Sequence, residues 1–494
     1  MKSVLTNILK GKKPPTNRML ILQSLMIGLF LCCSQFAQAQ GTTADVVGTV
    51  TDNSGAILPN AKVTVTNTGT NIARTATTDD SGAYTVNLLP IGIYSVKVEA
   101  TGFKSFAVSS IALVAGDRTR VDAKMEVGAT SETITITADT SVLQTDTSTV
   151  GTAITGKLVQ DLPLNGRNYV QLAQLVPGVS PGPPNGLGTG TRPDDRRLNS
   201  SFSVNGQDPV VNNNMIDGMD NNERVIGTIG VRPSIDAIQE FKVQTNLYSA
   251  EVSRTSGGVV NILTKSGTNS FHGSLFEFVR NDKFDANGNY NFTGGAQLRK
   301  AKYRQNQFGG SIGGPIIKDR TFFFGDFEAL KIRQGIAITA VIPTAKQRIG
   351  DFSENCTTGF NAAGICATAA QQINVANAFG GAPVGAVPFN RLDVAPYSTL
   401  RDPLALKYAA LLPLPTGPGI NTTNFASSPV RPQDALTFDG RVDHRLNDKM
   451  NFFGRYSFND VTTVQPTGFP TVNGINPGGL FAFAGPNESR AQNI

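Results

Sequence analysis

The chain has 494 residues, 43 basic and 37 acidic, for a formal net charge of +6, with two histidines, four cysteines and no tryptophan. Five of the basic residues, Lys2, Lys10, Lys12, Lys13 and Arg18, lie near the N-terminus with no acidic residue beside them. The remainder carries 38 basic against 37 acidic residues, so charge gives no ground for a nucleic-acid or anionic-surface partner.

Those five residues form the basic region of a signal peptide spanning residues 1–39. Met19 to Cys33 is apolar apart from Gln23, Ser24 and Gly28, and Ala37-Gln38-Ala39 places cleavage between Ala39 and Gln40. The apolar run is shorter than the roughly 20 residues a membrane helix needs. Cys32 and Cys33 lack the small residues that precede a lipid-modified cysteine. Cleavage leaves Cys356 and Cys366, which in an oxidising compartment close a small loop as a disulfide or, alternatively, stay as two thiols. The mature chain is long enough for about two to four domains, and no later segment is a candidate transmembrane helix.

Residues 46–127 have the period-2 alternation of a small β-sandwich. Asp52-Asn53-Ser54-Gly55 and Asp79-Asp80-Ser81-Gly82 are turn signals, and Tyr94, Val96 and Val98 oppose Ser95, Lys97 and Glu99. Glu132-Thr133-Ile134-Thr135-Ile136-Thr137-Ala138 alternates Thr with Ile. It suits either a last strand of the sandwich or an extended segment that adds to a partner's sheet edge.

Residues 148–268 read as an α+β domain. Thr149 to Ile154 is strand-like, and Tyr169, Leu172, Leu175 and Val176 have helical spacing up to Pro177-Gly178. Ser234 can cap a short turn before Phe241-Lys242-Val243-Gln244. Asp217, Asp220, Asn221, Asn222 and Glu223 lack the ligand spacing of a calcium loop, and read better as polar loop residues at a domain apex. Arg167 and Arg254 are taken as ordinary interface charges. No metal or cofactor site is read, and no catalytic constellation: there is no nucleophile elbow, metal-spaced His/Cys cluster or Walker loop.

From Phe271 onward the alternation is that of membrane β-strands. Five strands are expected at 271–280, 305–316, 321–330, 434–445 and from Met450. The fourth sets Leu436, Phe438, Gly440 and Val442 against Thr437, Asp439, Arg441 and Asp443. Connections alternate long and short, with tight turns at Ile317–Arg320 and Leu446–Lys449 on one side. Outer-membrane barrels show this asymmetry, with short periplasmic turns and long external loops. Arg490–Ile494 is read as part of a loop.

Several stretches resemble known families. The pattern from Gly48, GTVTDNSGAILPNAKV, with DDSGAYTVNLLPIGIYSVKVEATGF, resembles the carboxypeptidase regulatory-like domain, a prealbumin-like β-sandwich filed with carbohydrate-binding-like folds. Within Arg254–Phe278, GGVVNILTK resembles the end of the plug domain of TonB-dependent outer-membrane receptors, and SGTN-FHGS-FEF resembles the first barrel strand of their Oar-like branch. The resemblance implies a mainly β protein: sandwich, then α+β plug, then the first strands of a transmembrane antiparallel barrel over 271–494. A plugged transporter barrel has about 22 strands, which implies that this sequence is the N-terminal part of a longer protein.

The family's function is import of a large or scarce solute, such as an oligosaccharide, peptide or metal chelate, by energy-coupled displacement of the plug. The implied partners are the inner-membrane TonB complex, outer-membrane lipid and a solute or surface ligand, with no nucleic acid. Glu132–Ala138 resembles the TonB box that receives the coupling force. The alternative is an Oar-like structural or adhesive outer-membrane protein without active uptake.

Overall fold

A computed structural model describes residues 42–129, 133–137, 149–182, 201–223, 229–250, 252, 255–286, 292–293, 296–297, 300, 302–376, 382–420, 422–447, 450–469 and 485–494. The expected signal segment with Ala39 and Gln40, and residues Glu132, Ala138 and Arg254, lie outside them.

The N-terminal unit packs two sheets. β1 (Thr43–Asp52), β4 (Ala83–Pro90), β7 (Arg118–Arg120) and β8 (Ala123–Met125) form one, in which β7 and β8 pair in succession along β1. The other runs β3 (Ala73–Thr77), β2 (Lys62–Asn67), β5 (Gly92–Glu99), β6 (Ser105–Leu113), β9 (Thr133–Thr137). Alternate residues of both sheets, among them Val46, Val63, Tyr84, Val96 and Phe106, fill the core between them. Both expected turns are built by an aspartate that accepts from its own loop. Asp52 Oδ1 takes Ser54 N and Ala56 N at 2.8 and 2.9 Å, and Asp79 repeats the pattern with Ser81 and Ala83.

The central unit has a mixed sheet in the order β10 (Val150–Thr155), β15 (Ile238–Asn246), β16 (Val259–Thr264), β13 (Asn213–Ile216), β14 (Met219–Asp220). β16 is central, paired antiparallel to β15 and parallel to β13, and all six of its residues are buried. That explains its largely apolar sequence. Gly257 and Gly258 precede it where the backbone has no room: a Cβ on Gly258 would lie 2.6 Å from Val204 Cγ2, and one on Gly257 2.9 Å from the Val211 carbonyl oxygen. A short helix α1 (Gly156–Asp161) and the ribbon β11 (Val179–Pro181) with β12 (Phe202–Val204) complete the unit.

The helix expected from Tyr169 is instead a 3-10 segment, Tyr169–Leu175, capped by the Asn168 side chain on Val170 N. Tyr169, Val170, Leu172 and Ala173 are buried but Leu175 is exposed. The segment's backbone bonds run to the third residue back, Gln171 N to the Asn168 carbonyl and Val176 N to the Ala173 carbonyl, both at 3.1 Å, the pitch of a short 3-10 piece. Ser234 caps a 3-10 turn at Ile235–Ala237 through Ala237 N.

The third unit is an antiparallel up-and-down sheet of β17 (His272–Asn281), β18 (Tyr303–Ile317), β19 (Thr321–Gly335), β20 (Val430–Asn447), β21 (Met450–Gln465) and β22 (Gly485–Asn493). Leu275, Ile312, Phe327, Phe438, Val442 and Phe452 lie exposed on one face. Gln307, Asp326, Asp439, Arg455 and Ser457 are buried on the other, against the central unit. Apolar outside and polar inside is the arrangement of a membrane barrel wall.

The sheet departs from expectation in three ways. β18 to β21 continue further toward the long loops, through stretches in which a few apolar residues such as Ile332 and Val464 stand among polar ones. Residues 485–493 form a strand and not a loop end: β22 is held by backbone pairing to β21 over Ser457–Gln465 and by an Arg490–Asp460 ion pair at 3.1 Å. The connection from Ile336 to Pro429 is also folded. It contains helix α2 (Pro403–Leu411), two small apolar clusters around Phe425 and Tyr397, and a Cys356–Cys366 disulfide with Cα atoms 5.7 Å apart.

Candidate ligand cavity and domain contacts

The central unit meets the inner face of the wall through charged and polar side chains arranged in levels. Nearest the long-loop end is Arg167, in the Asn165-Gly166-Arg167 turn. Its Nη2 donates to Asp236 at 2.6 Å, its Nε to Glu328 at 3.3 Å, and its guanidinium sits 4.0 Å from the Phe276 ring centroid. In the middle, Ser234 donates its hydroxyl to Asp326 and its backbone N–H to Asp439 at 3.3 Å. Asp326 and Asp439 are direct cross-strand neighbours, so two carboxylates converge on one serine.

Toward the tight-turn end stands Asp217, in the left-handed turn between β13 and β14. Its carboxylate accepts from Thr264 N at 2.9 Å and pairs with Arg441 at 3.1 Å and Arg455 at 2.9 Å. Asp217 is therefore not an apex residue. It is turned away from Asp220, which bonds Asn222, and from Asn221, which bonds Val231. No group of three or more His, Cys, Asp or Glu among the described residues is arranged to hold a metal.

Above the Arg167 level, between the central unit and the long-loop half of the wall, lies a cavity of about 360 Å³. Arg167, Arg232, Tyr169 and Asn168 form its floor, and Tyr303, Glu328, Arg431 and Gln433 part of its wall. Arg232 is fixed by Asn168 Oδ1 and lies 5.7 Å from the Tyr169 ring centroid. Arg431, 4% exposed, donates to Gln334 Oε1 at 2.6 Å. The Tyr169 hydroxyl is buried without a hydrogen-bond partner of good geometry among the described residues, and burial pushes its pKa up to about 12.

The sandwich touches both other units at the tight-turn end. Asn71 Nδ2 and Asn269 Nδ2 both donate to Asp319 Oδ1, in the β18–β19 turn, at 3.2 and 2.7 Å. Lys242 of β15 pairs with Asp117 at 2.8 Å, and the Glu240 carboxylate accepts from Ala115 N at 3.3 Å. Burial pushes the Glu240 pKa up to about 7, opposed by Lys242 and by the Ala115 N–H. A second cavity, of about 570 Å³, lies where the three units meet.

Thr133–Thr137, from the segment that resembles a TonB box, forms β9. It pairs parallel with β6 from Ser105↔Thr133 to Ser109↔Thr137 and is the edge strand of its sheet. Sequence reasoning assigned no role to Arg232, Tyr169 or Arg431. The only hint was the crowding of Arg, Asn and Tyr in NGRNY, which has no value until the wall residues are placed beside it.

Two stretches of the chain match known domain families. Residues 45–126 match the carboxypeptidase regulatory-like domain and residues 263–494 the outer membrane beta barrel domain. The molecule is thus an outer-membrane β-barrel protein with a regulatory-like sandwich on the periplasmic side of the wall. It is similar to the TonB-dependent transporter Oar of Myxococcus xanthus, with 28% identity over 264 residues. That alignment covers 51% of this chain and 23% of the relative. The chain is thus similar, over part of its length, to the Oar-like TonB-dependent receptors.

Among solved structures, catechol 1,2-dioxygenase of Acinetobacter radioresistens is 15% identical over 18% of this chain and 53% of its own, with a TM-score of 0.15. A putative carbohydrate binding protein of Bacteroides uniformis is 21% identical over 17% of this chain and 42% of its own, also at 0.15. Likenesses of that size carry no argument about activity.

Proposed function

We propose that the protein imports a solute across the outer membrane, with the central unit as a plug that moves when the 132–138 segment is pulled from the periplasm. The observation that carries this reading is the polar seam between plug and wall. Ion pairs and hydroxyl contacts such as Arg167–Glu328, Ser234–Asp326 and Arg441–Asp217 can exchange partners with water as the plug shifts. An apolar seam would lose its hydrophobic stabilisation on opening.

The coupling step follows from strand exchange. Among the described residues β9 lies at a sheet edge and pairs in parallel with β6 alone. A periplasmic partner can add to its free edge or peel it away, both of which are main-chain recognition. The expected partner is the inner-membrane TonB complex.

The same pairing favours a second reading. If β9 is a permanent part of the sandwich, the protein is a structural or adhesive outer-membrane protein. Growth and uptake on a panel of carbon and iron sources separates the two, in strains lacking the gene and complemented with wild type or with a 132–138 deletion. Import predicts loss on a particular source, restored by wild type only and abolished by a protonophore. Unchanged uptake with altered surface attachment overturns it.

A further inference from the structure

The sandwich holds the central unit and the wall by contacts of different kinds. The turn Ala115-Gly116-Asp117, which follows β6, meets β15 of the central unit. Lys242 Nζ donates to the Asp117 carboxylate at 2.8 Å and to the Ala115 carbonyl, and the Glu240 carboxylate accepts from Ala115 N at 3.3 Å. Ala115, Asp117, Glu240 and Lys242 are all buried. The turn is also pinned from the sandwich side, with Gly116 N donating to the Thr43 carbonyl at 2.8 Å and Asp45 N to the Asp117 carbonyl at 2.9 Å. Glu240 and Lys242 share one face of β15, an interior strand paired with β10 and β16. The sandwich therefore grips the body of the central sheet and not its margin.

At the rim of the wall the side-chain contacts are exposed. Asn71 donates to Asp319 at 3.2 Å, Asn269 N donates to the Gly69 carbonyl at 3.0 Å, and Gly69 packs on Thr268. Gly267 seats this joint on the wall, since a Cβ there would lie 2.4 Å from the Phe323 carbonyl oxygen. Exposed hydrogen bonds exchange with water one at a time. The Lys242 cluster separates only by admitting water to a buried ammonium and its carboxylate together. A pull on the sandwich therefore parts the rim first. A covalent route to the central unit also exists: β9 ends at Thr137 and β10 begins at Val150. The linking residues, 138–149, reach about 40 Å when drawn out. The route through the fold has no such length to take up, because β9 pairs with β6, and β6 ends at Leu113, just before Ala115.

We propose that the sandwich is the grip by which the central unit is moved. A pull from the periplasm passes from β9 through β6 and the Ala115–Asp117 turn to β15, and the sandwich leaves the rim together with the central unit. The proposal deepens the import reading above and rests on it for the source of the pull. Its test is single-molecule pulling on the protein in outer-membrane patches, periplasmic face up, through Asn53→Cys in an exposed turn of the sandwich. Gly/Ser residues inserted within 138–149, enough to double that stretch, lengthen the covalent route by about 40 Å.

With the grip intact, the extension at which the central unit yields should be the same with and without the insertion. Lys242→Met, which breaks the grip, should make it grow by about 40 Å with the insertion. The first comparison changes no residue of the grip, so it stands whether or not Lys242→Met folds. In cells, Gly69→Cys with Thr268→Cys sets Cβ atoms 3.8 Å apart, suited to a disulfide that bolts the sandwich to the rim. Closing that bond should stop the uptake the gene confers, and reduction should restore it. An extension that grows with the insertion while the grip is intact, unravelling of the sandwich before the central unit yields, or uptake indifferent to the closed bond each overturns the proposal and leaves import standing. An unchanged extension in a protein that imports nothing would do the reverse.

Discussion

The Arg167 guanidinium sits over the Phe276 ring at 4.0 Å while its nitrogens reach Asp236 and Glu328. One side chain of the central unit thus engages an aromatic on β17 and a carboxylate on β19, with Arg167 largely shielded from water. Two ion pairs and a cation–π contact meet at one residue.

Removing that residue should loosen the central unit. Arg167→Ala leaves Asp236 and Glu328 buried without their cation, a loss of about 3–5 kcal/mol by comparison with other buried pairs. Arg167→Lys should recover only part, since lysine cannot bond both carboxylates with a planar fork. Limited proteolysis of the protein in detergent checks this: 150–264 should be cut faster in Arg167→Ala, and equal rates would remove Arg167 from the account.

Asp217 and Arg441 form a second clasp that can be measured as a coupling. A double-mutant cycle with Asp217→Asn and Arg441→Gln should give an interaction energy of about 1–3 kcal/mol by urea denaturation. Additive effects would mean that Arg455, the other partner of Asp217 at 2.9 Å, carries the clasp alone.

The contact between sandwich and central unit should weaken as pH rises. Glu240 titrates near 7, above the usual carboxylate range, because it is buried against Ala115. With the folded pKa raised, its stability contribution is complete below the unfolded value of about 4.5 and is lost as pH climbs to about 7. Heat denaturation between about pH 4 and 8 should show this fall, up to about 3 kcal/mol. Glu240→Gln should flatten it, and a wild-type profile that rises over the same range would contradict the assignment.

Locking β9 to β6 tests the coupling segment. Ala107 and Thr135 are register partners, so Ala107→Cys with Thr135→Cys should cross-link under oxidation. If the strand must leave, uptake stops when the bond forms and returns on reduction. Uptake indifferent to the cross-link would mean that the partner adds to β9 in place.

Gly258→Ala places a Cβ 2.6 Å from Val204. The clash lies where β16 enters its sheet, so overpacking should cost about 1–3 kcal/mol, read as a lower melting temperature. An unchanged melting temperature would show that Val204 can rotate away.

Much of the fold was legible because membrane strands and sandwich strands write their two faces in alternation. Leu436, Phe438 and Val442 against Thr437, Asp439 and Arg441 set the orientation of β20 through their alternation alone. β16 is the opposite case: covered on both faces, it is apolar nearly throughout and shows no alternation. Where neither pattern holds, the residues carry no such signal. β22 and the upper parts of β18 and β19 are polar and exist through backbone pairing to neighbouring strands. The 3-10 segment at Tyr169 buries Tyr169, Leu172 and Val176 of the helically spaced residues but leaves Leu175 exposed, because apolar spacing does not fix the hydrogen-bond pitch.

The cavity was illegible for a simpler reason. Arg167, Arg232, Tyr303 and Arg431 come from four segments spread over more than half the chain, and nothing local marks them as neighbours.

By itself, the sequence determined the order of units, the tight turns between paired wall strands and which face of each early wall strand is apolar. These follow from periodicity and turn chemistry, which act over a few residues. Only the tertiary structure decided that Asp217 answers two arginines of the wall, that Thr133–Thr137 is an edge strand, and that Arg232 and Tyr169 share a cavity. Those relationships depend on which distant groups are brought within about 3–6 Å, where desolvation and charge become strong enough to define a site.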